Sequence, residues 1–147
     1  MNSITHWADR AISTWRNEKI PLLPGVSMTY IAEVEQVLGF AFPSDFKELY
    51  TKVNGFADSA MNPHMFSLWP LDAIYKQYLQ ALDEQDLMLQ GPDEDFIAFC
   101  DFMISSHTIG FDITKPGIYL SYDRREIAAK SFSECIEMMN FEPGLLY

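Results

Sequence analysis

At 147 residues the chain is the size of one domain, and a composition that is 48% hydrophobic and 14% aromatic excludes a disordered polypeptide. A formal net charge of -11 repels phosphates and anionic headgroups, which sets aside nucleic acid and membrane as partners and favours encounter with a basic protein. Cys100 and Cys135 are too few for a disulfide scaffold and belong to no C-x-x-C motif. They read first as reduced, buried thiols, with pairing between them as the alternative. No signal-peptide pattern opens the chain, and no apolar run approaches the ~20 residues that span a bilayer, so a cytoplasmic protein is expected.

Ile4, Trp7, Ala8, Ala11, Ile12 and Trp15 recur at helical spacing and predict an N-terminal helix, ended by Pro21 and a loop through Leu23-Pro24-Gly25. Ser27 is the expected N-cap of a second helix carrying Ile31, Val34, Val37 and Leu38, with Gly39 as its left-handed stop. Pro43 is placed at the first position of a third helix, whose face runs Phe46, Leu49, Tyr50, Val53 to a stop at Asn54-Gly55. A loop follows, with turn chemistry from Asp58, Ser59, Asn62 and Pro63. Met65 to Trp69 reads as a short strand. Pro70 then opens a fourth helix with Leu71, Ile74, Tyr75, Tyr78, Leu79 and Leu82 in period.

Beyond the Gly91-Pro92 break the period changes. Phe96 to Met103 is almost continuously apolar, as in a strand covered on both faces. His107 to Ile113 alternates, Lys115-Pro116-Gly117 is a turn, and Gly117 to Tyr122 alternates again. Ile127-Ala128 adds a short strand, and Ser131-Phe132-Ser133-Glu134 is a capping box opening a last helix through Ile136 and Met139. Strands joined by short turns are antiparallel. The fold class is therefore α+β, a single domain over 1–147 with an antiparallel meander packed by helices.

In that order, Ile31…Leu38-Gly39, Phe42-Pro43-Ser44-Asp45-Phe46…Leu49, Asn54-Gly55, Phe66…Leu68-Trp69-Pro70-Leu71, Phe96-Ile97-Ala98-Phe99, Gly110-Phe111-Asp112-Ile113, Ile118-Tyr119 and Ala128…Ser131-Phe132 resemble the SUKH superfamily. That superfamily is named for a yeast cell-wall synthesis regulator and bacterial toxin-immunity proteins. The resemblance covers about residues 31–139; Met103-Ile104-Ser105-Ser106 departs from the glycine-rich turn often seen there. It implies a non-enzymatic binding domain with no catalytic set to transfer: in most bacterial members an immunity protein that binds a cognate toxin domain, often a nuclease, and in some eukaryotic members a part of regulatory networks. No cofactor is expected.

Several residues invite a chemical reading. Ser44 and Lys47 fit an S-x-x-K pattern, with Lys115-Pro116-Gly117 nearby in type to K-T-G; the companion S-D-N element is absent, and the pair reads as helix capping. His6, His64 and His107 lack metal-ligand spacing. Asp101 and Asp112 lie on adjacent predicted strands, where paired carboxylates serve acid–base chemistry, but polar strand ends are the plainer account.

Asp83, Glu84 and Asp86 fall near a helix C-terminus, where the macrodipole disfavours each anion by ~0.3–1 kcal/mol, and Asp93, Glu94 and Asp95 extend the charge past the break. These six residues are the expected partner-binding surface, with Phe56, Trp69 and Tyr75 as candidate anchors or core. The leading expectation is an immunity protein that neutralises a basic toxin. The alternatives are a regulatory scaffold and, more remotely, a small hydrolase built on Ser44 and Lys47 or on Asp101 and Asp112.

Overall fold

From Ala8 to Trp15 the N-terminal apolar stripe folds onto the core as its spacing predicts, Ile4 lying outside the described residues. In the computed structural model, which describes residues 6–85, 95–102, 107–121 and 124–146, helix α1 (Trp7–Asn17) buries Ala8, Ala11, Ile12 and Trp15. His6 caps it, Nδ1 accepting from the Ala8 N–H at 3.2 Å. Helix α2 (Met28–Leu38) starts at Ser27, whose hydroxyl accepts from the Tyr30 N–H, and ends at Gly39 with φ 67°. Ile31, Val34 and Leu38 are buried, whereas Val37 lies outside the buried stripe at 54% exposed.

Helix α3 (Ser44–Tyr50) is shorter than its apolar period predicts, and Pro43 is its N-cap rather than its first residue. Thr51 closes it, Oγ1 donating to the Lys47 carbonyl at 2.9 Å. Val53 and the Asn54-Gly55 pair belong to strand β2 (Val53–Phe56), antiparallel to β1 (Leu22–Pro24). Two expectations are thereby corrected. Leu22 to Pro24 is a strand and not a loop, and Asn54-Gly55 does not stop a helix. A single apolar residue at i+7 satisfies either period, and pairing with a strand far back in the chain, Leu22 with Phe56 and Pro24 with Val53, leaves no local signal.

The main sheet has the order β3-β4-β5-β6, all antiparallel: β3 (Phe66–Leu68), β4 (Phe96–Phe102), β5 (His107–Asp112) and β6 (Lys115–Leu120). Helix α4 (Leu71–Gln85) connects β3 to β4, and α5 (Phe132–Phe141) follows the sheet. The α+β class holds. A register shift between Ala98 and Cys100 places both Phe99 and Cys100 in the core. It leaves Phe96, Ala98 and Asp101 half-buried, so β4 is not covered on both faces throughout.

The turn before β6 is Ile113-Thr114, where Asp112 Oδ1 accepts from the Thr114 N–H at 2.9 Å. Lys115-Pro116-Gly117, expected as a turn, begins β6 itself. Pro116 is tolerated there because β6 is the edge of the sheet. The expected strand at Ile127-Ala128 reduces to one bridge between Ile118 and Ala129. The cap of α5 is a variant of the predicted box. Ser131 Oγ accepts from the Glu134 N–H at 3.1 Å, while Glu134 Oε1 reaches one residue further back, to the Lys130 N–H at 3.0 Å.

An aromatic column joins α3 to the sheet. Phe42, Phe46 and Tyr50 stack at 4.2 Å between successive ring centroids. Phe132 of α5 meets Phe46 edge-on at 5.0 Å, and Phe99 packs 5.0 Å from both Phe111 and Phe132. Such contacts add about 0.5–1.5 kcal/mol each beyond area burial, which makes α3 the clamp between sheet and helices. Among the described residues no helix is long and apolar enough to cross a membrane.

Candidate functional site

Asp83 and Glu84 lie in the last turn of α4, as their position in the sequence predicts. Asp86, Asp93 and Glu94 lie outside the described residues. Asp95 precedes β4, and its carbonyl accepts from the Ile113 N–H at 2.7 Å.

A different acidic site forms around Trp69, and the chain leading to it is fixed at four points. The Trp69 N–H donates to the Phe99 carbonyl at 2.8 Å. Its carbonyl accepts from the buried Tyr50 hydroxyl at 2.6 Å. Gly55, at φ 73°, passes so close that a Cβ there would sit 2.5 Å from that same carbonyl oxygen, so only glycine fits. Asn54 Oδ1 accepts from the Leu71 N–H at 2.7 Å and so satisfies a donor at the start of α4. The Asn54-Gly55 pair thus serves the next helix rather than the preceding one.

These restraints set one wall of a surface pocket of about 390 Å³. Its apolar part is Leu23, Phe56, Trp69, Pro70 and Ala73, and its carboxylates are Asp58, Asp72 and Asp101. No lysine, arginine or histidine is among the described residues that line it. Asp58 and Ser59 hold consecutive left-handed conformations, at φ 57° and 56°. The loop that carries them is pinned by the buried Ser67 hydroxyl, which donates to the Ala60 carbonyl at 2.7 Å. Burial pushes the Asp101 carboxyl up from its ordinary value, while a hydrogen bond from the Trp69 side chain opposes the rise. Asp72 is 3.8 Å from Lys76 in an exposed i,i+4 pair, a weak interaction in solvent.

Of the three candidate anchors, Phe56 is buried at the pocket floor, Trp69 is half-buried in its wall, and Tyr75 is half-buried on α4. Sequence reasoning missed Asp58, Asp72 and Asp101 as a group. Asp58 had a local explanation as turn chemistry and Asp101 as a polar strand end, Asp72 was not singled out, and no regular spacing connects them.

A second pocket, of about 490 Å³, is more apolar. Phe40, Phe111, Ile113, Ile118 and Phe132 line it together with Lys115 and Lys130. Its acidic members are engaged in the fold. Asp45 Oδ2 accepts from the Ser133 N–H at 2.8 Å, which ties α3 to α5, and Asp112 lies 3.6 Å from the Arg124 guanidinium.

In the two hydrolase readings Lys47 is engaged elsewhere and the two aspartates are kept apart. Lys47 Nζ pairs with Glu35 at 3.2 Å, and α3 is capped without a side-chain bond, which also corrects the expected capping role of Ser44. Asp101 is opposite Thr108, and Asp112 is opposite Phe96, at the two ends of the β4–β5 ladder. Cys100 and Cys135 are free and buried. Burial pushes the Cys135 thiol up to about 12 and the Cys100 thiol well above its usual range, so both are protonated near neutrality. Among the described residues no group of three or more His, Cys, Asp or Glu could hold a metal ion.

Both pockets are open hollows on the surface of the α+β scaffold. Residues 25–138 match the SMI1 / KNR4 family (SUKH-1), and the chain belongs to that family. The family is generally non-enzymatic and fits a toxin-immunity or related protein-binding role. A search of curated proteins found no match.

Proposed function

We propose that the chain is a non-enzymatic immunity protein, one SUKH-like domain over residues 1–147, that binds and neutralises a cognate bacterial toxin in the cytoplasm. Family membership carries the reading. The net charge of -11 supplies the chemistry of the partner, a basic domain such as a nuclease, whose phosphate-binding cleft the carboxylates would fill. Asp83, Glu84, Asp86, Asp93, Glu94 and Asp95 form the proposed docking surface. Charge there accelerates encounter and rejects wrong partners, while a few buried contacts hold the complex.

Co-expression with the toxin encoded beside the gene tests the proposal. Restored growth and a complex on gel filtration are expected. Continued growth arrest without a complex would remove the immunity reading.

A further inference from the structure

We propose that the Trp69 pocket receives one arginine side chain from the protein partner. The inference rests on the reading of a basic partner and assigns a place where such a partner is gripped. Three segments distant in sequence bring carboxylates to one hollow: Asp58 on the loop after β2, Asp72 in the first turn of α4, and Asp101 on β4. Trp69 supplies a half-buried aromatic wall. The described lining holds no cation, in a molecule whose net charge is already -11.

Two properties select a guanidinium over an ammonium. A guanidinium is planar, with five donors that match carboxylates two at a time, and it lies readily against an aromatic face. It is also less strongly hydrated, so it enters a partly apolar hollow at smaller desolvation cost than lysine. The hollow of about 390 Å³, with Leu23, Pro70 and Ala73 in its walls, gives the arginine methylenes an apolar path. Tyr50, Asn54 and Gly55 hold Trp69 and α4 in place before any partner arrives, so little ordering is required on binding.

The test uses the intact protein and three peptides, acetyl-Gly-Arg-Gly-amide and its lysine and citrulline counterparts. The Trp69 indole N–H is followed by NMR and assigned by its loss in Trp69→Phe. A saturable shift with the arginine peptide is expected, a weaker one with lysine and none with citrulline, which keeps the shape and loses the charge. Asp101→Asn should bind about tenfold more weakly. The surface double variant Asp58→Asn/Asp72→Asn should also lose affinity, and it serves if Asp101→Asn perturbs folding.

Equal shifts from arginine and citrulline peptides, wild-type titration of both variants, or shifts confined to signals away from Trp69 would each overturn the proposal. The probe needs no toxin. A failed titration beside an intact toxin complex removes the pocket alone. A saturable titration with no toxin complex removes the immunity reading and leaves the pocket standing.

Discussion

Tyr50 is fully buried, yet its hydroxyl is satisfied, donating to the Trp69 carbonyl at 2.6 Å. Tyr50→Phe preserves the aromatic column and leaves that carbonyl without its partner. Urea unfolding should show a loss of about 1–3 kcal/mol, the usual consequence of an orphaned buried acceptor. Asp101 acts in the opposite sense. Its folded pKa is raised by burial, so over the interval between the unfolded and folded values the native state binds more protons. Stability from this group is therefore greatest at and below the unfolded pKa and falls as pH rises through the folded one. Asp101→Asn keeps an acceptor for Trp69 and removes the charge. Its melting temperature near pH 7 should exceed that of the parent, and the difference should shrink toward pH ~3.

At the scale of elements, Asn54 shows how one helix depends on a strand. Its side chain accepts from the Leu71 N–H at the start of α4, 17 residues away. Asn54→Ala should destabilise the protein by about 0.5–2 kcal/mol, with faster amide exchange in the first turn of α4, where Asp72 sits; Asn54→Asp should recover most of the loss. The edge strand β6 carries its own protection. Pro116 offers no N–H, and Ile118 already exchanges backbone hydrogen bonds with Ala128 and Ala129. Strand addition along this edge is blocked in two places.

For the whole molecule, a charge of -11 makes association with a basic partner fast and salt-sensitive. Replacing Asp83, Glu84 and Asp86 with lysine should slow association and flatten its dependence on ionic strength, read by stopped-flow mixing with the proposed toxin partner. Unchanged rates would move the docking surface elsewhere, and a selective loss on Asp58→Asn/Asp72→Asn would move it to the Trp69 pocket.

The sequence by itself determined the α+β class, the family, the buried positions Ala8, Ala11, Ile12 and Trp15 of α1 and Ile31, Val34 and Leu38 of α2, and the caps at Ser27 and Gly39. Each of these is a local pattern of period, cap or turn that short-range sterics and hydrogen bonding enforce. Tertiary structure alone decided that Leu22 to Pro24 pairs with Val53 to Phe56, that Asn54-Gly55 braces the start of α4, and that Asp58, Asp72 and Asp101 share a hollow with Trp69. Those outcomes depend on contacts between segments far apart in the chain, and such contacts leave no period in the sequence to read.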